Sequence, residues 1–276
     1  MVSIVDNSAQ HLAVPPLHPR VYEDEAVHRV YLFGAFRLFR NQERLDEDLL
    51  RRKKARLILI WFLLNPGKPC SMEQFIDLFW PDSPPRKAIG NFHVAMHCLR
   101  RTLDSRFASG KESLFIHRRS NNFYGFEAGE GWWTYVGDLE MVFDRACAYD
   151  SQGDQQRAIF YHRRVASYGV RGFLPTAEYG AWVEEYQRRY EQIYAHALTR
   201  LMEFYVAADQ PEELLEYAYQ MLQLDHQNVR AAQVIIDAHV RSGHLDRARQ
   251  LRESFLRSVP QDLRHGIARR IQLQGA

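Results

Sequence analysis

Three prolines within five residues, Pro81, Pro84 and Pro85, separate two stretches of helical periodicity, and no regular helix can run through them. Upstream, Ser71-Met72-Glu73-Gln74 has capping-box spacing, a hydroxyl three residues ahead of an amide that can reach back to the helix's first free N–H. A helix therefore starts at Ser71, with Met72, Phe75, Ile76 and Phe79 along one face. Downstream, Ser83 offers an N-cap, and Pro84-Pro85 suit the first turn of a second helix, where a missing N–H costs little. In that helix Ile89, Phe92, Met96, Leu99 and Leu103 form a narrow stripe that must be buried, and the opposite face carries Lys87, Gly90, Asn91, Val94, His97, Cys98 and Arg101. Ser71–Leu103 thus reads as a helix-turn-helix whose second helix suits a major groove. Any α-rich domain could show two such helices, so the rest of the chain has to decide.

The net charge of +2 is unevenly spread. Residues 1–28 hold one Lys/Arg against four Asp/Glu, residues 29–127 eighteen against ten, and residues 128–276 seventeen against twenty. A basic module between mildly acidic ones is the footprint of a domain that meets a polyanion. Acidic lipid would satisfy the same charge, but no basic amphipathic helix with exposed aromatics stands out. No run approaches the roughly 18 uncharged apolar residues of a membrane span, and the N-terminus lacks a secretory leader's pattern, so a cytoplasmic location is expected. Cys70, Cys98 and Cys147 are too few and too scattered for a disulfide framework.

Residues 1–28, with Pro15, Pro16 and Pro19 and no periodicity, read as a flexible arm. Val30–Phe39 is β-branched and aromatic, with Leu32, Gly34, Phe36 and Leu38 alternating and Asn41-Gln42 as a turn, so one or two strands lie there. Arg51, Arg52, Lys53, Lys54 and Arg56 lead into the apolar run Leu57–Leu64, a core helix stopped by Asn65-Pro66-Gly67. Cations at a helix N-terminus oppose the macrodipole, which suits either phosphate contact or a solvated charge run. Leu114–His117 and Phe123–Phe126 flank a polar turn and predict a hairpin with Arg118, Arg119, Asn121 and Asn122 at its tip. A narrow minor groove attracts arginine, so such a tip beside a recognition helix makes sense as a wing; alone, it is a solvated turn.

In that order these elements resemble the OmpR-type winged helix of SARP-like transcriptional regulators. The resemblance is carried by YLFGAFRLFRN, by RRKKARLILIWFLLNPGKPCSMEQFIDLFWPDSPPRKAIGNFHVAMHCLRRTLD and by LFIHRRSNNFYGF, most specifically by Leu-Phe-Trp-Pro-Asp and the helix ending in Leu99-Arg100-Arg101. The chain departs from the family at His97 and Cys98, where basic residues are common, which leaves more of the contact to Arg100, Arg101 and the wing. Asn91 is suited to an adenine edge and Val94 to a thymine methyl, while Arg86 and Lys87 lie in the helix's first turn.

From Asp138 onward only helical patterns appear. Gly153, Asp209 and Gly243 each end one helix and open the next, and Phe204-Tyr205 through Leu222 aligns with Ala238-His239 through Leu256 at a 34-residue period. That is the tetratricopeptide spacing, in which a helix pair buries its face by stacking on a neighbour; a plain bundle is the alternative. A long helix from Ala177 into Ala207 is expected, its stripe of Tyr179, Trp182, Tyr186, Tyr190, Ile193, Tyr194, Ala197, Leu201 and Phe204 facing a core, with a concave partner or ligand groove lined by the surplus tyrosines as the alternative. Asp138–Val259 is similar to the bacterial transcriptional activator domain that follows the winged helix in SARP-like proteins.

The expected fold is mostly α with a small β component, a winged helix-turn-helix domain over 29–127 followed by an all-α tetratricopeptide-like domain over 128–276. The resemblance implies double-stranded DNA as ligand, RNA polymerase, another regulatory protein or a small-molecule effector at the second domain, and a homodimer on DNA as an open alternative. The other reading is a scaffold of helical repeats whose winged helix no longer binds DNA.

Catalytic signatures are missing: there is no G-x-S-x-G, and Gly110-Lys111 lacks the rest of a phosphate-cradling loop. His93 and His97 share a helix face without the Glu of a zinc-protease helix, so no metal or cofactor is expected. Glu184-Glu185 and Glu212-Glu213 read as solvated surface. Cys70, just before a helix, is either a thiol activated by the helix N-terminus or a small buried residue.

Overall fold

A computed structural model describes residues 23–45, 52–104, 107, 112–129, 131–169 and 173–271. The expected arm over 1–28 therefore lies mostly outside the described residues, and so does Arg51; at its described end the expectation fails, because Ala26 and His28 are buried and His28 begins a strand. The fold is mostly α with a small β component, as expected from the sequence. The chain divides into two compact units: residues up to Met141 together with Leu174–Val183, and Val142–Phe173 together with Glu184–Ala276.

The first unit opens with β1 (His28–Tyr31), β2 (Arg37–Arg40) and β3 (Glu43–Arg44). The run read as one or two strands is two, because Gly34 takes a left-handed conformation that turns the chain between them. Asn41, also left-handed, makes the expected turn into β3. A strand absent from the sequence reading, β7 (Trp132–Thr134), pairs in parallel with β1 and completes the order β3-β2-β1-β7.

Then come α1 (Lys53–Leu64), β4 (Cys70–Ser71), α2 (Met72–Phe79), α3 (Pro85–Leu103), β5 (Ile116–Arg118) and β6 (Phe123–Phe126). The hairpin β5–β6 forms as expected, with Arg118 opposite Tyr124, and β4 adds to β6 to make a second sheet of order β4-β6-β5. An aromatic chain seats the helices on this sheet. Phe62 of α1 lies 5.3 Å from Phe75 of α2, Phe75 lies 6.0 Å from Phe92 of α3, and Phe92 lies 5.1 Å from Tyr124 of β6.

The capping box is present at α2: the Gln74 backbone N–H donates to Ser71 Oγ at 3.1 Å, and the Ser71 backbone N–H donates to Gln74 Oε1 at 2.9 Å. Two details of α3 differ from expectation. Pro84, not Ser83, is its N-cap, and no side chain caps it. Ile89 is exposed, because the helix packs through the small residues Ala88 and Ala95 together with Phe92, Met96, Leu99 and Leu103.

The second unit takes the end of α4 (Tyr135–Gln152), then α5 (Gln155–Tyr168), α7 (Glu184–Ala207), α8 (Pro211–Leu224), α9 (Val229–Arg241), α10 (Leu245–Ser258) and α11 (Gln261–Arg270). Gly153, Asp209 and Gly243 stand at the expected junctions, each with positive φ. The 34-residue period is visible in the packing: Leu214 and Ala248 are both buried, as are Met221 and Phe255. The expected helix from Ala177 into Ala207 is broken. A short α6 (Thr176–Tyr179) ends at Gly180 with φ 94°, a 3-10 turn covers Ala181–Val183, and only then does α7 begin, so Tyr179 and Trp182 belong to the first unit.

Candidate nucleic-acid interface

Fixing α3 through Phe92, Met96 and Leu99 leaves Arg86, Lys87, Ile89, Gly90, His93, Val94, His97 and Arg101 exposed and Asn91 half-buried. Val94 is 53% exposed. The face that the sequence assigned to a groove is thus open and cationic at both ends, with Val94 between His93 and His97 in its middle. Ile89 and His93 join it unforeseen; the alanines at 88 and 95, a heptad apart, were the signal that the buried stripe is rotated towards them.

Arg100 sits differently. It is half-buried, with its guanidinium carbon 5.8 Å from the ring centres of both Tyr124 and Phe107, and its Nε has no hydrogen-bond partner. Burial, and secondarily Arg118, push its pKa below the usual arginine range, while Tyr124 opposes them. Arg100 therefore lies between α3 and the β5–β6 hairpin, with its head against the Tyr124 and Phe107 rings.

At the wing, Asn121 and Asn122 both have positive φ, which asparagine tolerates better than most residues, and they close the turn in left-handed conformation. Arg118 donates to Asn122 Oδ1. Arg119 lies back along the strand and donates to Glu127 Oε1 at 3.3 Å. Gly125 makes room for it, since a Cβ there would stand 3.2 Å from Arg119 Nε. Both wing arginines and Asn121 are exposed, and the partners of the two arginines are ones that a phosphate can replace.

The start of α1 splits. Arg52, as N-cap, and Lys53 are exposed. Lys54 is half-buried, its Nζ 5.8 Å from the Trp80 ring centre, with its pKa lowered by burial and then by Lys53. Arg56, read with this cluster as a phosphate contact, is turned inward instead and pairs with Glu178 at 2.7 Å. Cys70 is buried, and that burial pushes its thiol up to about 12, so the activated-thiol reading is overturned. His93 and His97 are both exposed on α3. No helix among the described residues is long and apolar enough to cross a membrane.

No family model matches the sequence, and no curated protein matches it. Among solved structures, the fold is similar to that of Mycobacterium tuberculosis EmbR in complex with a low affinity phosphopeptide, with a TM-score of 0.67 at 15% identity. The match covers 90% of this chain and 65% of the EmbR chain, so the present chain spans about two thirds of that protein's length. At this identity the likeness is one of fold: a small-sheet, winged-helix unit followed by stacked helices.

Proposed function

We propose that this protein is a DNA-binding transcriptional regulator of the SARP-like kind, reading duplex DNA with α3 and carrying a partner surface on its helical unit. One observation carries this reading: α3 presents an open face with Arg86 and Lys87 at one end, Arg101 at the other and Val94 between, in the most basic segment of the chain. Arg86, Lys87, Arg52 and Lys53 contact phosphate. Asn91, Val94 and His97 face base edges, and Arg118, Arg119, Asn121 and Asn122 enter the minor groove beside them. Arg101 contacts the backbone at the far end, and Lys54 and Arg100 support from half-buried positions; Arg51, which precedes them in the same basic run of the sequence, belongs to this reading as a phosphate contact. The EmbR-like fold supports the class. The helical unit has RNA polymerase or another regulatory protein as the partner this reading implies.

Selection of bound sequences from random duplex DNA by the full chain tests it. A defined motif, with affinity falling roughly ten-fold or more between about 50 and 200 mM salt, is the expected result. A repeated motif would further indicate a dimer on DNA. The second reading, a scaffold without DNA binding, is favoured by the half-burial of Arg100 against aromatic rings, which withdraws its head from the open face. Salt-insensitive or undetectable duplex binding would decide for it.

A further inference from the structure

Three helices of the second unit bring a carboxylate and two imidazoles together. Asp150 of α4, His162 of α5 and His196 of α7 each offer a ligand atom, and these atoms all lie within 4.8 Å of one another. We propose that Asp150, His162 and His196 form a binding site for one divalent transition-metal ion of the zinc, cobalt or nickel type.

The chemistry favours such an ion over calcium or magnesium, because two of the three donors are imidazole nitrogens. His162 is the built part of the site. It is 1% exposed, its Nε2 lies 2.7 Å from Asp150 Oδ2, and its Nδ1 is buried without a hydrogen-bond partner. Nε2 and Asp150 Oδ2 are thus the donors an ion meets, and Nδ1 stays unpartnered with or without it. An ion between His162 Nε2 and Asp150 takes the place of the proton they share. His196 is exposed, with its ring centre 5.7 Å from that of His162 and 5.3 Å from that of Phe143, and a rotation of its side chain along the Phe143 edge closes the remaining distance.

Both imidazoles are ready ligands. Burial holds His162 below its usual pKa against the opposing pull of Asp150, and burial, with His162 beside it, does the same for His196. Burial alone would raise Asp150, but hydrogen bonds from Arg200 and His162 outweigh it and keep the carboxylate charged.

Arg200 is the competitor. Its Nη2 lies 2.9 Å from Asp150 Oδ1 and its Nε 3.2 Å from Oδ2. It is not stranded if an ion takes Asp150, because its Nη1 already donates to Glu203 at 2.6 Å. A cleft of about 100 Å³ beside the cluster, lined by Gln155, Ile159, Glu203 and Phe204 among others, gives solvent entry.

The test uses the full chain after chelator treatment, with Zn2+ in titration calorimetry and Co2+ in visible absorption. One Zn2+ per chain and Co2+ ligand-field bands are expected. His196→Ala, an exposed change, should weaken Zn2+ at least ten-fold with no change in the metal-free unfolding temperature. His239→Ala, at the separate pair where His239 lies 6.2 Å from His244, should bind as the parent does. Arg200→Gln should bind Zn2+ more tightly, which a purely structural ion-pair network would not produce. Absence of stoichiometric binding by the parent chain, or equal affinity in parent and His196→Ala, overturns the proposal.

Discussion

Arg100 stands where α3 meets the β5–β6 hairpin, and its half-buried head, 5.8 Å from the ring centres of Tyr124 and Phe107, makes it a joint between elements. On the proposed DNA-binding role, the reading falls instead to exposed neighbours, above all Val94. A methyl buried on a thymine is worth about 0.8 kcal/mol, roughly four-fold in affinity. Exchanging the contacted thymine for deoxyuridine in a selected duplex should weaken the parent chain by that factor and leave Val94→Ser unmoved; equal losses would place the methyl contact elsewhere. A second residue acts through titration. His28 is buried, stacked 4.4 Å from Trp132, and burial, aided by Arg40, lowers its pKa from 6.5 to about 4. A lowered imidazole pKa contributes stability that is full above pH 6.5 and is lost as the pH falls through about 4, on the order of 3 kcal/mol in all. His28→Phe keeps the ring stack, so its unfolding free energy, followed by denaturant titration from pH 7 to 4, should fall less steeply than the parent's. Superimposable profiles would exclude the role. Neither residue's state was readable in sequence: His28 falls at the end of the stretch read as an arm, and only its pairing in β1 beside β7 brings Trp132 against it.

Local signals survived at the level of elements, and non-local ones did not. The capping box was legible because its partners are three residues apart, and the hairpin because its turn residues carry their own conformational preference. β4 and β7 were not, since two- and three-residue strands exist only by pairing with segments far along the chain, β7 with β1 about a hundred residues earlier. The cluster of Asp150, His162 and His196 is of the same kind, its members separated by twelve and thirty-four residues on three helices. The broken helix at Gly180 was hidden for a different reason: aromatic periodicity continues across the glycine, although Tyr179 and Val183 pack in one unit and Tyr190 in the other. Ser71 offers the cleanest element-scale test. Ser71→Ala removes the acceptor for the Gln74 N–H at the start of α2 and should cost about 1 kcal/mol, a fall of roughly 2–4 °C in unfolding temperature. A shift below 1 °C would mean that the Gln74 amide finds another acceptor in solution.

Across the whole molecule, charge announced the basic first unit, but the chain's return to it was invisible in sequence. Leu174–Val183 leaves the helical half and packs into the first unit, where Trp182 lies 5.7 Å from Phe79 of α2. The same segment supplies Glu178 to Arg56, a residue only 5% exposed whose guanidinium also lies 5.3 Å from the Tyr179 ring centre. A buried arginine needs its counter-charge: removing one partner of a buried pair costs several kcal/mol, and because the Glu178 side chain is 48% exposed, about 1–2 kcal/mol is the appropriate expectation. Glu178→Ala should therefore lower the unfolding temperature of the full chain by a few degrees. Arg56→Met together with Glu178→Ala should recover most of the loss, since methionine fills the space without a charge to satisfy. Calorimetry of the two variants measures it. A double variant no more stable than Glu178→Ala would mean that Arg56 holds the first unit together through its stacking on Tyr179 and not through the ion pair.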